Sequence, residues 1–510
     1  MPNSIQVTLP KINFPVIRFL LVFSFIIILS LMLDSKFPIM MDEAIYVDIA
    51  HNLIKGQGLN TELFSVFIPY LEKYSFWYPP GYFIFLGIIL KLFGVGILQA
   101  RFSSLILGGS VLWLIAPLTN NWLRSKYALL IATILLISDF YFQDGSIVAR
   151  MEIITIFWSV LAAIFHQRYL LNRRQLNNFI SGIFGALAII THPTAIVFLL
   201  PISLNLLFLK QQSWQKWLKS CLVFASPILA VLVGWIMSFW PQREIFYIQN
   251  AVQVHRKEFS PFFIIETFRY KPIHRLILAT YYLSNLLFII QQLRTKDYRH
   301  PQNKLWLFLA FTAIFVPFLL KEMWYVIYTS FMGALILTRN IELAVHKFQR
   351  RLVYFLPIII LMANSIIFFN RINEIQHSLS YNQFSAKIAD KLPVNTTLLT
   401  ASYPDPIFYL QQHRPDIIFK VTPNNSDLEP IDFEVYNEFL GNVDYVVLSF
   451  FLNHHIYQYI KANMEEIIYQ SNQDIAGQTV WLIKLKPRDQ RTALPVDPDL
   501  YWPYPTLSPN

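Results

Sequence analysis

Apolar runs of bilayer-crossing length recur along most of this chain, and that repetition limits its fold more than any motif does. Clear runs lie at 15–33, 102–118, 127–140, 153–170, 218–240, 276–290, 305–320, 325–337 and 352–369. Within lipid, backbone polar groups must be satisfied inside the segment, so such runs are expected to be helices. The balance of residues agrees: 55% are hydrophobic and only 14% charged, which excludes a single soluble domain. The first run is too long for a signal-peptide core and lacks a small-residue cleavage site, so it is expected to remain as a membrane helix. The net charge of +10 does not point to nucleic acid. Basic residues gather in the loops between apolar runs, as membrane orientation requires. The expected partners therefore include membrane lipids and no nucleic acid. The single cysteine, Cys221, permits neither an intramolecular disulfide nor a cysteine metal cluster.

Two further stretches are resolved by charge. If 78–96 ("YPPGYFIFLGIILKLFGVG") crosses the membrane, Arg168, Arg173 and Arg174 fall outside. If it lies along the surface, they join Lys11, Arg18, Arg124 and Lys126 in the cytoplasm, as the positive-inside rule prefers. The stretch 179–208 is too long for one span and is interrupted by His192-Pro193. A hairpin of two short helices returns the chain to the cytoplasm there, at the cost of one basic outer loop, 241–275. The expected architecture is a polytopic α-helical membrane protein of about eleven transmembrane helices, residues 1–369, with a first outer loop at 34–101. Its N-terminus is expected in the cytoplasm, and the plasma (inner) membrane is the expected location. Beyond 369, "TTLLTASY", "NVDYVVLSFF" and "TVWLIKL" read as strands. "NQFSAKIADKL" and "IYQYIKANMEEIIYQ" read as amphipathic helices. These predict a small extracytoplasmic α/β domain at 370–486, followed by a proline-rich tail at 487–510.

This threading collects polar residues on the outer side. Asp42, Glu43, Tyr46, Lys73, Tyr78 and Arg101 belong to the first outer loop. Asp139, Asp144, Arg150 and Glu152 belong to the second, and His192 sits at the hairpin tip. His255, Arg256 and Lys257 lie in the basic loop, and Lys321 opens a later span. Acids and bases converging at a membrane boundary suggest a site for an anionic, lipid-borne substrate.

The motif order adds a resemblance. A first span is followed by "DEAIY", then Pro-Pro before an apolar helix, "ARFSSLILGG", "ARMEIITIFW" and "GIFGALAIITHPTA". This order resembles the GT-C membrane glycosyltransferases, in the branch of the protein O-mannosyltransferases and lipid A aminoarabinose transferases. The resemblance implies inverting transfer of a sugar from a polyprenyl-phosphate carrier to an acceptor hydroxyl on a glycan, lipid or protein. It assigns Asp42 as the base and Glu43 as a residue orienting Asp42 or contacting the acceptor. Arg101, with Lys73, would hold the phosphate, since an arginine fork binds phosphate bidentately. Glu152 matches the second-loop acid, where the family more often has Asp. The aminoarabinose enzymes usually carry Lys directly before Pro-Pro; here it is Tyr78, so either Lys73 or Lys321 would substitute or the donor would be held differently. Tyr46, Tyr78, Arg150, His192 and His255 complete the candidate substrate-binding set.

Each of these residues also has a plainer role. Asp42 suits a helix N-cap; Arg101 suits an interface anchor; His192 suits a hairpin tip. The 255–257 run suits lipid headgroups, and Asp139 and Asp144 suit a solvated loop. No cofactor is required by the sequence; a divalent cation is an open alternative, with Asp42, Glu152 and His255 as candidate ligands. A transporter or flippase of lipid-linked sugars should show paired broken helices in two repeats, and the chain has one broken hairpin and no repeat. A non-catalytic envelope-assembly scaffold is the third reading.

Overall fold

The computed structural model describes residues 13–33, 41–63, 68, 70–120, 122–209, 213–256, 272–320, 323–344, 347–377, 381–402, 405–421, 433–448, 454–471 and 479–493. Its first part is helical: α1 Phe14–Ser30, α2 Met41–Ile54, α3 Gly81–Phe93, α4 Ile97–Thr119, α5 Lys126–Ser138, α6 Phe140–Ile147, α7 Met151–Asn172, α8 Gln175–Thr191, α9 Ile196–Leu207, α10 Trp214–Phe239, α11 Arg243–Arg256, α12 Pro272–Thr295, α13 Pro301–Leu320, α14 Val326–Leu343 and α15 Lys347–His377. Each expected run coincides with one of these helices except 127–140, which is divided between α5 and α6. Five described helices are long and apolar enough to cross a membrane, or six if the bent pair α5–α6 is one span. The helices α1, α3, α8 and α9 are apolar but shorter. These are the helices of an integral membrane protein.

Two helix breaks and one interior proline shape the bundle, and each has a cause in the sequence. The run read as 127–140 ends at Ser138, where the axis turns by 64° into α6. Asp139 makes that turn possible. Its Oδ1 accepts the Phe142 N–H at 2.9 Å, and its Oδ2 accepts the Tyr281 hydroxyl at 2.9 Å. The freed Phe140 N–H finds Asn364 Oδ1, also at 2.9 Å. Asp139 is fully buried, so the expectation of a solvated loop residue is corrected. Unpaired backbone at that depth would be prohibitive, and these side chains supply the missing partners.

The second break is the α8–α9 hairpin. Pro193 has no N–H to continue α8, and His192 before it is extended (φ −156°, ψ 137°), as a residue preceding proline prefers. The third feature is milder. Pro117 in α4 leaves the Trp113 carbonyl, four residues earlier, without its helical donor. The buried guanidinium of Arg18, from α1, donates to that carbonyl and to Leu112 O at 2.8 Å.

One glycine fixes how the α3 entrance meets the hairpin. A Cβ on Gly81 would stand 2.7 Å from the Ile190 carbonyl oxygen. "YPPG" therefore ends in the residue that lets α3 begin against the end of α8, which sets Tyr78 beside His192.

The C-terminal unit comprises α16 Tyr381–Ala389, β1 Thr397–Ala401, α17 Ile407–His413, β2 Ile418–Val421, α18 Phe433–Gly441, β3 Tyr445–Leu448, α19 His454–Asn463, β4 Met464–Gln470 and β5 Trp481–Leu485. The sheet order is β2-β1-β3-β5-β4, with β1 parallel to β2 and β3, and β5 antiparallel to β3 and β4. The three expected strands are present. The expected helix over 456–470 is half right: it ends at Asn463, and 464–470 form β4. Pairing with β5 overrides the helical preference of Met464, Glu465 and Glu466. The strand β2 and the helices α17 and α18 were not anticipated. Of the tail, 494–510 lie outside the described residues.

This unit carries a pH dependence. Asp405 is buried, and its Oδ1 accepts the Ile407 N–H at 2.9 Å. Burial pushes its carboxyl up to about 7, against the opposing pull of the Ile407 amide and the Thr400 hydroxyl. The folded form thus binds the proton more tightly than the unfolded chain, whose carboxyl titrates near 4. Stability is greatest below that value, falls as pH rises towards 7 and levels off above it. The full-length protein is expected to melt at a lower temperature at pH 8 than at pH 5.5. Asp405→Asn should remove most of that difference; an unchanged pH dependence in the variant would refute the assignment.

Candidate active site

The site is built on the first turn of α2. Asp42 and Glu43 occupy that turn, where acidic side chains complement the positive end of the helix dipole. Adjacent positions on a helix point about 100° apart, and the two acids find different partners. Glu43 turns inward and is fully buried, with Arg101 from the second turn of α4. The pair is bidentate: Nε donates to Oε1 at 2.8 Å and Nη2 to Oε2 at 2.5 Å. Glu43 Oε1 also accepts the Ala149 N–H at 2.8 Å. Three motifs distant in sequence, "DEAIY", "ARFSS" and "ARMEI", are thereby joined.

Asp42 turns the other way. Its side chain is 32% exposed, against 0% for Glu43 and 3% for Glu152. Arg150, on the extended segment between α6 and α7, lies between Asp42 and Glu152. Its Nη1 donates to Asp42 Oδ2; its Nε and Nη2 donate to Glu152 at 3.3 and 3.2 Å. Glu152 opens α7, as expected, and is buried. Among the described residues, three carboxylates face two guanidiniums in this cluster, a formal charge of −1.

An aromatic wall stands beside it. Tyr46, one turn along α2 from Asp42, packs edge-on against Tyr78 and Tyr82 with centroids 5.8 and 5.6 Å apart. Burial pushes the Tyr46 phenol up, with Tyr78 and Asp42 adding to it, so the group remains a neutral hydroxyl. Tyr78 lies 5.5 Å from the His192 ring, which lies 5.7 Å from Tyr325. His192 Nδ1 accepts the Thr194 N–H at 3.1 Å and sits 2.6 Å from Thr194 Oγ1, which is 2.6 Å from the Tyr328 hydroxyl. With Nδ1 an acceptor, the neutral ring carries its proton on Nε2. His192 thus caps the hairpin turn and belongs to the wall of the site.

Of the sequence candidates, Asp42, Glu43, Tyr46, Tyr78, Arg101, Arg150, Glu152 and His192 are brought together. Lys73 is exposed, its ammonium 5.9 Å from the Tyr70 ring centroid. Lys321 and the His255 side chain lie outside the described residues. The guanidinium of Arg101, the expected phosphate clamp, is engaged by Glu43 and 1% exposed. Among the described residues no three His, Cys, Asp or Glu side chains converge as metal ligands. Between Asp42 and Glu152, the place a cation would take is filled by the Arg150 guanidinium. Sequence reading missed Trp324, Tyr325 and Tyr328, because "MWYVIYTS" reads as the start of an apolar span.

The same geometry can be set against known proteins. Residues 78–240 match the family of dolichyl-phosphate-mannose-protein mannosyltransferases, a stretch that contains Tyr78, Arg101, Arg150, Glu152 and His192. ArnT from Cupriavidus metallidurans superposes in its apo state with a TM-score of 0.54, at 12% identity, over 92% of this chain and 97% of that one. Its complex with undecaprenyl phosphate gives 0.53 at 13% identity over the same shares. The chain shares its fold with ArnT. The apo oligosaccharyltransferase of Archaeoglobus fulgidus is a further match, with a TM-score of 0.52 at 12% identity over 86% of this chain and 70% of that one. No curated protein matches the sequence significantly.

Proposed function

We propose that this protein is an inverting glycosyltransferase. It moves a sugar from a polyprenyl-phosphate carrier to a hydroxyl of a glycan, lipid or protein at the outer membrane face. The observation that carries the reading is the unequal exposure of three clustered acids: Asp42 alone is open, and Arg150 holds it in place. The acceptor oxygen attacks the anomeric carbon as Asp42 takes its proton. The bond from that carbon to the phosphate oxygen breaks, and the lipid phosphate leaves with the electron pair. Arg150 orients Asp42 by donating to its Oδ2, and Glu152 fixes Arg150. The Glu43–Arg101 pair ties α2 to α4 and, through the Ala149 N–H, to the extended segment carrying Arg150.

The leaving phosphate adds negative charge to a cluster that is already net negative, so a further cation is needed. Lys321 is the candidate. It precedes Trp324 by three residues, within about 11 Å of extended chain, and Trp324 stacks on Arg150. The family match to mannosyltransferases and the ArnT complex with undecaprenyl phosphate support the donor class.

The test is purified protein in vesicles carrying polyprenyl-phosphate sugars. Release of polyprenyl phosphate that requires both protein and an acceptor hydroxyl supports the reading; no release with any sugar tried opposes it. Sidedness has its own test. An alkaline phosphatase fusion after Lys486 is expected to be active, and a cytoplasmic reporter active at that position would contradict an outer-face site.

A further inference from the structure

Trp324 roofs the Asp42–Arg150–Glu152 cluster. Its ring centroid lies 4.2 Å from the Arg150 guanidinium carbon, a distance at which an aromatic face attracts a cation. A guanidinium carries five N–H groups. Arg150 directs one each from Nε and Nη2 to Glu152 and one from Nη1 to Asp42. One N–H on each terminal nitrogen therefore has no acceptor among the described residues. The Trp324 indole N–H shares that condition: its nitrogen is buried and makes no hydrogen bond. Buried donors in folded proteins nearly always have a partner in protein, water or ligand. Here three donors without acceptors among the described residues lie within one stacking contact of each other, where the carboxylates are already engaged.

What would satisfy all three is an oxygen-rich anion arriving with the substrate. A neutral indole N–H suits this place, because it adds a hydrogen bond to a phosphate oxygen without a new counter-charge to compete for Asp42. Stacking also fixes the guanidinium plane, so its remaining N–H groups point in a defined direction. We propose that Trp324 is a substrate-binding residue whose indole N–H, with the two remaining Arg150 N–H groups, receives an oxygen of the phosphate joining sugar to lipid. This rests on the donor reading above.

The test is binding of polyprenyl phosphate to the full-length protein in nanodiscs. Trp324→Phe keeps a ring over Arg150 and deletes the N–H; Trp324→Leu removes both. The Phe variant is expected to melt near the wild type and to bind polyprenyl phosphate about tenfold to a hundredfold more weakly, the usual effect of losing a hydrogen bond to a charged group. Binding of the uncharged polyprenol should not change, and millimolar inorganic phosphate should not displace the lipid. Equal binding by wild type and the Phe variant overturns the proposal. So does a loss confined to the Leu variant, which would leave the ring as a purely positioning group. Displacement by inorganic phosphate would assign the donors to a free anion instead. Failure of the wild type to bind polyprenyl phosphate would remove the donor reading itself, and this inference with it.

Discussion

Asp42→Asn is expected to fold, to retain carrier lipid, and to lose about two to four orders of magnitude in transfer rate, the usual share of a general base. The substitution isolates basicity. Asn is nearly isosteric with Asp and caps a helix about as well, so α2 should start where it does now. Its amide oxygen can still accept from Arg150 Nη1. What disappears is the charge that takes the acceptor proton. Asp42 is the only acid of the cluster with a substantially open side chain, whereas Glu43 and Glu152 are shut away from any acceptor. Initial transfer rate and melting temperature, measured on the same preparation, separate the outcomes. A well-folded variant with wild-type rate would leave Asp42 as a helix cap and end the mechanism.

Arg101→Ala is expected to act on the fold. Removing one partner of a buried ion pair typically destabilises by about 3–5 kcal/mol, because the other charge remains without compensation. Here the abandoned group is Glu43, fully buried, which keeps the Ala149 N–H but loses its bidentate cation. Little folded protein should be recovered. Glu43→Gln with Arg101→Gln, which removes both charges, should melt higher than Arg101→Ala alone. Arg101→Ala melting within a degree or two of wild type, with weakened lipid binding, would restore Arg101 as a phosphate clamp. That was the role implied by the family resemblance. The structure alters the expectation because bidentate pairing and 1% exposure describe a strut.

This difference marks how far the sequence was legible. Helix positions were readable nearly everywhere, because hydrophobic period and length act locally. The acids Asp42, Glu43 and Glu152 and the bases Arg101 and Arg150 were readable as candidates, because charges beside apolar runs are rare and demand a reason. Their pairing was not readable. Arg101 and Glu43 are 58 residues apart, and Arg150 and Asp42 are 108 apart. Either arginine offers the same chemistry until the bundle brings the helix ends together. Asp139 was misread for a related reason. A polar residue at the end of an apolar run looks like the edge of a loop, and the partners that bury it, Tyr281 and Asn364, arrive from later helices. Trp324, Tyr325 and Tyr328 carried no signal, since aromatic residues at the start of a span are ordinary interface residues. In the C-terminal unit, β4 was masked by residues that favour helix until a neighbouring strand supplies their hydrogen bonds.

The most direct measurement of the central claim is the polyprenyl-phosphate sugar content of cells that lack this protein. A glycosyltransferase that consumes such a donor leaves it unused when absent. Lipid extracts are expected to contain an accumulated polyprenyl-phosphate sugar, identified by mass, that disappears when the wild-type chain is restored and persists with Asp42→Asn. Extracts whose polyprenyl-phosphate sugars are the same with and without the protein would contradict the account.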